Sequence, residues 1–339
     1  MAALLCLIVA GVAIAISATS GNSKSNGGLP PNGDTSKLLT EDKYLFTELD
    51  TYELLSEQDA PSSSPADTMT VQFADYPCFS STSSFDEAIQ QAIIDENVAF
   101  MNKTVLLQQA ASGSLKRHPF SDCQFDSTSV NYRAKRVTLR VGINTKLRGW
   151  RPLTYALPGD VVTITFPANF TGYADTAIAI GMADSSGGQS QNLPDPSKFS
   201  SQIMPIITQV FSYADYSAFL SADTLKIGSP LGGMVYLRTW DTAFSSYDPF
   251  YVTVTGGVRA PVYLVGQTSD AEWDDVLRNS AGLMAEIRAP NLRIMSTASY
   301  VRGVPGAKMR QGAELFYRAL ALSETATGGD GRNLPITMM

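Results

Sequence analysis

The chain has 339 residues, enough for one large domain or two of ordinary size around a sizeable core. Hydrophobic residues make up 44%, charged residues 17%, and the net charge is -7. That balance excludes a nucleic-acid binder, because phosphate contacts need clustered Lys and Arg and no basic stripe is present. The densest basic cluster, Arg133, Lys135 and Arg136, reads as the flank of a strand start.

At the N-terminus, Ala2 to Ala18 is an apolar run without charge, followed from Thr19 by polar, Gly- and Ser-rich sequence. Its length falls inside the range of about 17–25 residues that can cross a bilayer. Ala18-Thr19-Ser20 supplies small residues for signal-peptidase cleavage, although the usual positive n-region is missing. Residues 1–20 therefore read as a signal peptide or a signal anchor. Either places the rest of the chain in a secretory space, secreted or at the cell surface, and tethered to a membrane if the run is retained. Two N-x-[S/T] sequons, at Asn102 and Asn169, are consistent with N-glycosylation there. Cys6 lies inside the apolar run, which leaves Cys78 and Cys123 as an even pair. They are candidates for a disulfide in an oxidising compartment, the alternative being two free buried thiols.

Residues 21–68 are rich in Ser, Gly, Asn, Pro, Asp and Glu, with a weak apolar pattern around Tyr44 to Leu55. Such composition buries too little apolar surface to offset its ordering entropy, and it reads as a disordered linker. Residues 69–134 read as a helical N-terminal region. Between Ser84 and Gln109, Phe85, Ala88, Ile89, Ala92, Ile93, Val98, Met101 and Val105 recur at helical spacing. Ser83 or Ser84 can cap that helix and Gly113 ends it. His118 follows in a basic loop before Pro119 and reads as a surface histidine.

From Lys135 the period switches to two. Val137, Leu139, Val141 and Ile143 alternate with polar residues or glycine, the pattern of a half-buried strand. Leu157-Pro158-Gly159-Asp160 reads as a turn into a strand over 161–166, and 177–182 reads as a further strand. Gly228 to Gln267 then reads as three strands carrying two glycine pairs, Gly232-Gly233 and Gly256-Gly257, the second a hairpin turn. Asp270 to Asn279 reads as a helix with Asp274 and Asp275 solvated. Strands at 283–287 and 292–295 follow, then a final helix from about Ala307 to Ser323 burying Met309, Leu315 and Phe316. Residues 326–339 read as a disordered tail. The fold class is thus mainly β with peripheral α: a β-sandwich or jelly-roll-like module over 135–325, followed by short helices and preceded by a helical region.

Three segments carry a family resemblance: Trp150-Arg151-Pro152-Leu153-Thr154-Tyr155-Ala156-Leu157-Pro158-Gly159 and the Val161–Thr163 strand after it; Ser229-Pro230-Leu231-Gly232-Gly233-Met234-Val235-Tyr236-Leu237; and Val252 to Gly266 with its Ala260-Pro261-Val262-Tyr263. In this order they resemble the enhancin-like zinc metallopeptidases (metallopeptidase family sixty), whose relatives include the non-catalytic channel-associated factors of vertebrates. The resemblance spans about Val137 to Ser323. It implies a β-sandwich leading into a helical catalytic part that cleaves glycoproteins such as mucins. It also implies a zinc site built on H-E-x-x-H, in which two imidazoles one helical turn apart hold the metal and the Glu acts as general base.

This sequence departs from that pattern at the decisive point. His118 is its single histidine, so H-E-x-x-H is absent, and catalytic and metal-binding residues are read as none. The chain resembles the front, β-rich half of the family, with zinc belonging to catalytically complete members. The alternative reading is a non-catalytic secreted or surface module that binds a glycan or protein partner. The resemblance further implies that Gly232, Gly233, Met234 and Tyr236 begin a cleft-wall strand beside which a substrate peptide could add; a bulge or tight packing is the other explanation of the glycines. Tyr173, Tyr213, Tyr216, Trp240, Phe244, Tyr247 and Phe250 lie in or near loops, where ring faces could stack on sugars or anchor the loops.

Overall fold

The structure, a computed structural model, describes residues 51–60, 102–119, 121, 130–145, 149–181, 209–239, 248–289, 292–315 and 336–338. It is a stack of three sheets. The outer sheet runs β1 (Thr51–Gln58), β2 (Arg136–Ile143), β9 (Phe250–Gly257), β4 (Val161–Thr165), β7 (Thr224–Gly228), all antiparallel. The middle sheet runs β3 (Gly149–Ala156), β8 (Gly233–Thr239), β5 (Thr176–Gly181), β6 (Gln209–Ser212), also antiparallel. The third runs β10 (Val262–Leu264), β11 (Met284–Ala289), β12 (Leu292–Thr297), β13 (Ile336–Met338), with parallel pairs at both ends.

Outer and middle sheets form the sandwich that the alternation in β2 calls for. Val137, Leu139, Val141 and Ile143 are all buried, and between them residues of β2 are half-buried or exposed. They pack with Val162, Ile164, Leu225, Ile227, Val252 and Val254 against Ile178, Ile180, Val235 and Leu237 of the middle sheet. This layer is aliphatic, and each fully buried side chain of that size contributes roughly 1.5–3 kcal/mol before the opposing chain entropy. The solvent side of the outer sheet carries threonines in register: Thr138, Thr255 and Thr163 in one row, Thr253 and Thr165 in the next. β-Branched hydroxyl residues suit a pleated, half-wet face.

β8 has no such alternation, because both of its faces are covered. Its opposite face, with Trp150, Tyr155 and Ala179, packs on Leu283, Met284 and Met295 of the third sheet region. That sheet in turn packs Tyr263, Ala285 and Ala289 against Trp273, Leu277, Val301 and Met309. These come from α3, one α-turn at Asp270–Glu272 widening into a π-turn over Trp273–Leu277, from α4 (Ala298–Arg302) and from α5 (306–315). Ser269 caps α3 through Glu272 N–H, and Trp273 Nε1 donates to Val304 O at 2.9 Å.

Several expectations change. Thr51–Gln58 is an edge strand, not linker; seven of its eight residues are exposed, which is why its apolar pattern is weak. The helix read from Ser84 to Gln109 does not run through Asn102, whose extended ψ of 120° and side-chain bond to Val105 N–H make it the N-cap of α1 (Lys103–Ser112). α1 buries Leu106, Leu107 and Ala110 and leaves Val105 exposed, and left-handed Gly113 ends it as read. Gly256-Gly257 is no hairpin turn. Gly256, at φ 102°, is a bulge inside β9, where the register with β2 slips between Val137 and Thr138. Within α5, Met309 is buried but Leu315 is 62% exposed; Phe316 lies outside the described residues. Asp275 is solvated, whereas Asp274 is half-buried and accepts the Gly306 N–H at 3.0 Å.

Candidate functional site

The second motif forms a junction. After β7 the chain turns at Ser229–Gly232, where Gly232 N–H returns to Ser229 O at 3.0 Å. Ser229 O also accepts Gly159 N–H at 3.0 Å, from the turn closed by Asp160 N–H to Leu157 O, in which Gly159 is left-handed. Pro158 before Gly159 suits that geometry. Gly232 and Gly233 have φ values of 71° and 134°. A Cβ on Gly232 would meet Ala156 O at 2.7 Å, and one on Gly233 would meet Gly181 Cα at 2.5 Å. The close approach the glycines permit is therefore to the chain's own backbone. β8 is bonded on both sides, to β3 and to β5, so a peptide has no free edge to add to there.

Met234 and Tyr236 point to the same side of β8 and are fully buried. Tyr236 sits over a buried ionic cluster. The Arg293 guanidinium lies 4.4 Å from its ring centre, Arg293 Nε is 3.2 Å from Glu286 Oε2, and Arg288 Nε is 3.6 Å from Glu286 Oε1. Burial pushes the Tyr236 phenol far above its ordinary range. Burial works against the charge on Arg293, but the adjacent Glu286 carboxylate outweighs it and holds the guanidinium ionised.

A cleft of about 280 Å³ opens on the side of the sandwich where the two edge strands β1 and β3 approach, spanned by Tyr52 O–H donating to Pro152 O at 2.8 Å. Its apolar wall is Leu54, Leu139, Leu153, Met234, Leu264 and Leu277. Its polar part includes Arg259 and Glu272, an ion pair at 3.5 Å with side chains 22% and 45% exposed. Thr154 Oγ1 donates to Val258 O and Thr268 Oγ1 accepts Leu264 N–H, so both hydroxyls are engaged by backbone. Of the four residues read as a cleft wall, Met234 lines this space.

His118 is not on the surface. It is 2% exposed, its N–H donates to Pro230 O at 2.9 Å, and burial pushes its imidazole down to about 4. The Ser229–Gly232 turn thus holds both the Gly159 turn and the His118 loop. Among the described residues no three His, Cys, Asp or Glu side chains converge as metal ligands. With one histidine in the sequence, the two imidazoles of H-E-x-x-H cannot be supplied by this chain.

Asn102 and Asn169 are both exposed, Asn169 in a left-handed conformation at φ 62°. Cys78, Cys123 and the segment 1–20 lie outside the described residues. Among the described residues, no helix is long and apolar enough to cross a membrane. Of the loop aromatics, Trp240, Phe244 and Tyr247 lie outside the described residues. Tyr173 and Phe250 pack with Phe166 and Phe170 at the end of the sandwich, ring to ring at 4.7–5.1 Å, and Tyr216 packs on Tyr213 at 5.6 Å within the short helix α2 (Tyr213–Tyr216). Tyr216 is fully buried, Tyr173 O–H donates to Asp223 at 2.7 Å, and among the described members Tyr213 alone is exposed, at 37%. These rings mainly anchor loops.

No family model matches the chain. It is 33% identical over 306 residues to antigenic protein P1 of Entamoeba histolytica, covering 89% of this chain and 26% of that protein. It is 25% identical over 138 residues to TRPM8 channel-associated factor 3 of Rattus norvegicus, covering 41% of this chain and 13% of that one. The chain thus spans about a quarter or less of the length of these relatives. Among solved structures it is similar to IMPa of Pseudomonas aeruginosa in complex with an O-glycopeptide, with TM-score 0.35, 16% identity, and 57% of this chain and 21% of that one covered. It is also similar to the catalytic module of the metalloprotease ZmpA of Clostridium perfringens, with TM-score 0.36, 14% identity, and 57% and 39% covered. At these scores the likeness is partial and says nothing about activity.

Proposed function

We propose that this chain is the β-rich scaffold portion of a polypeptide related to the enhancin-like zinc metallopeptidases, which act on glycoproteins, and that it has no catalytic zinc centre of its own. The supporting observation is that the three motifs behind the resemblance meet at one junction. Tyr155 of the first and Val258 of the third exchange both backbone hydrogen bonds, at 3.0 and 2.8 Å, while the Gly159 and Ser229 turns bond to each other. Segments far apart in sequence thus cooperate in a single piece of architecture, the relationship expected if they mark a shared scaffold. Sequence likeness to a channel-associated factor supports the same kinship from its non-catalytic side.

In the second reading, the chain serves as a glycan- or protein-binding member of that group. A cleft that combines aliphatic side chains with the Arg259–Glu272 ion pair supports binding. In both readings the chain works on the secretory or extracellular side, with Asn102 and Asn169 as glycan acceptors, a Cys78–Cys123 disulfide, and residues 1–20 as leader or membrane anchor.

Three experiments test this. Metal analysis and incubation with a mucin-type glycoprotein should give neither stoichiometric zinc nor cleavage; obtaining both would overturn the scaffold reading. The full-length transcript should carry an in-frame H-E-x-x-H if the scaffold serves a peptidase, and lack it if the chain serves binding. Glycosidase treatment of protein from its native source should increase its gel mobility; no change would refute the extracellular assignment of the sequons.

A further inference from the structure

We propose that the cleft between β1 and β3 binds a free α-amino acid with an apolar side chain. This goes beyond the scaffold reading and stands independently of it. Three features carry the proposal. The space, about 280 Å³, lies just below the span of about 300–1,000 Å³ typical of drug-sized ligands, so it suits a ligand of amino-acid size. Its lining is mixed: Leu54, Leu139, Leu153, Met234, Val262, Leu264 and Leu277 can cover an aliphatic or aromatic body, while the polar side chains beside them suit a ligand that is charged at one end and apolar at the other.

The third feature is the charge pattern. Arg259 and Glu272 lie side by side, 3.5 Å apart, a separation at which their bond is weak and their remaining hydrogen-bonding capacity is large. An α-amino acid carries a carboxylate and an ammonium one carbon apart. Laid against the pair, its carboxylate faces the guanidinium and its ammonium faces the Glu272 carboxylate. A monoanion or a monocation would satisfy one residue while meeting like charge at the other. Arg259 and Glu272 are the charged residues among those that line the cleft, with Thr51, Gln267 and Thr268 as neutral polar neighbours, so this pair supplies the charge recognition. No bond is made or broken on binding.

The test is calorimetric titration of the purified chain with L-leucine and L-phenylalanine, alongside N-acetyl-leucine, which lacks the ammonium, and leucinamide, which lacks the carboxylate. Saturable binding of at least one free amino acid is expected, with each blocked analogue weaker by about tenfold or more, the scale of one charge-assisted hydrogen bond. Arg259→Gln and Glu272→Gln, both at a partly exposed rim, should each weaken leucine by a similar factor while thermal unfolding stays cooperative. No binding of either amino acid at about 10 mM would overturn the proposal. Equal affinity for the blocked analogues would overturn it too, as would variants that fold and bind like the parent. Zinc content and glycoprotein cleavage do not enter this readout, so its failure leaves the scaffold reading untouched.

Discussion

The two faces of the middle sheet have been given different chemistry. Toward the outer sheet, β8 presents Val235 and Leu237 to a layer made almost wholly of Val, Ile and Leu. Toward the third sheet, the next residues of the same strand, Met234 and Tyr236, meet methionines, aromatics, and the Glu286, Arg288 and Arg293 cluster. The first interface is held by apolar burial, which is non-directional and tolerant of small volume changes. The second depends on a carboxylate and two guanidinium groups staying matched in a dry environment, where losing one member leaves the others uncompensated. Two adjacent layers of one molecule should therefore respond to different perturbations.

The largest expected effect lies in the ionic layer. Glu286→Ala strands Arg293, whose side chain is 7% exposed, and should destabilise the fold by about 3–5 kcal/mol in chemical denaturation. A loss below about 1 kcal/mol would mean that this layer is as forgiving as the aliphatic one. Next is Gly233→Ala, which combines a φ of 134° with a Cβ driven onto Gly181; about 3 kcal/mol is expected in the same assay.

The third effect is acid lability at the junction. Burial lowers the folded-state pKa of His118 from 6.5 to about 4, so the unfolded chain takes up the proton first. Its contribution is fully present above about pH 6.5, drains as pH falls through that window, and is gone below about 4, for a total of about 3 kcal/mol. Stability curves at several pH values should show this slope, and His118→Gln should flatten it. The smallest effect is Ile180→Val in the aliphatic layer, expected to cost about 1 kcal/mol with no dependence on pH.

The sandwich was legible where one face is wet and the other dry. β2 alternates, and its buried set follows the period of two. β8 was also legible, for the opposite reason: a strand covered on both faces reads as a continuous apolar run. β1 escaped because an edge strand with one half-buried position carries no periodic signal, and its partner lies some eighty residues downstream. His118 was misread because a Lys-Arg-His-Pro loop carries no local sign that a turn from residues 229–232 will close over it. The Gly232-Gly233 pair signals close approach in the sequence, but that the approaching groups are the backbone of Ala156 and Gly181 is set by strands distant in sequence. The cleft was least legible of all. Its walls come from β1, β2, β3, β8, β10 and α3, so no local pattern of residues encodes it.

β1 also changes what counts as the minimum unit of this fold. A recombinant chain begun at residue 69, at the end of what composition alone marks as linker, would leave β2 as a bare edge with its backbone donors and acceptors open along Arg136–Ile143. Such a product would invite self-association through that edge. It would also lose the wall contributed by Leu54 and the Tyr52 tether to Pro152. Thr51–Gln58 behaves as a built-in guard strand, a short polar sleeve occupying an edge that would otherwise recruit a neighbour.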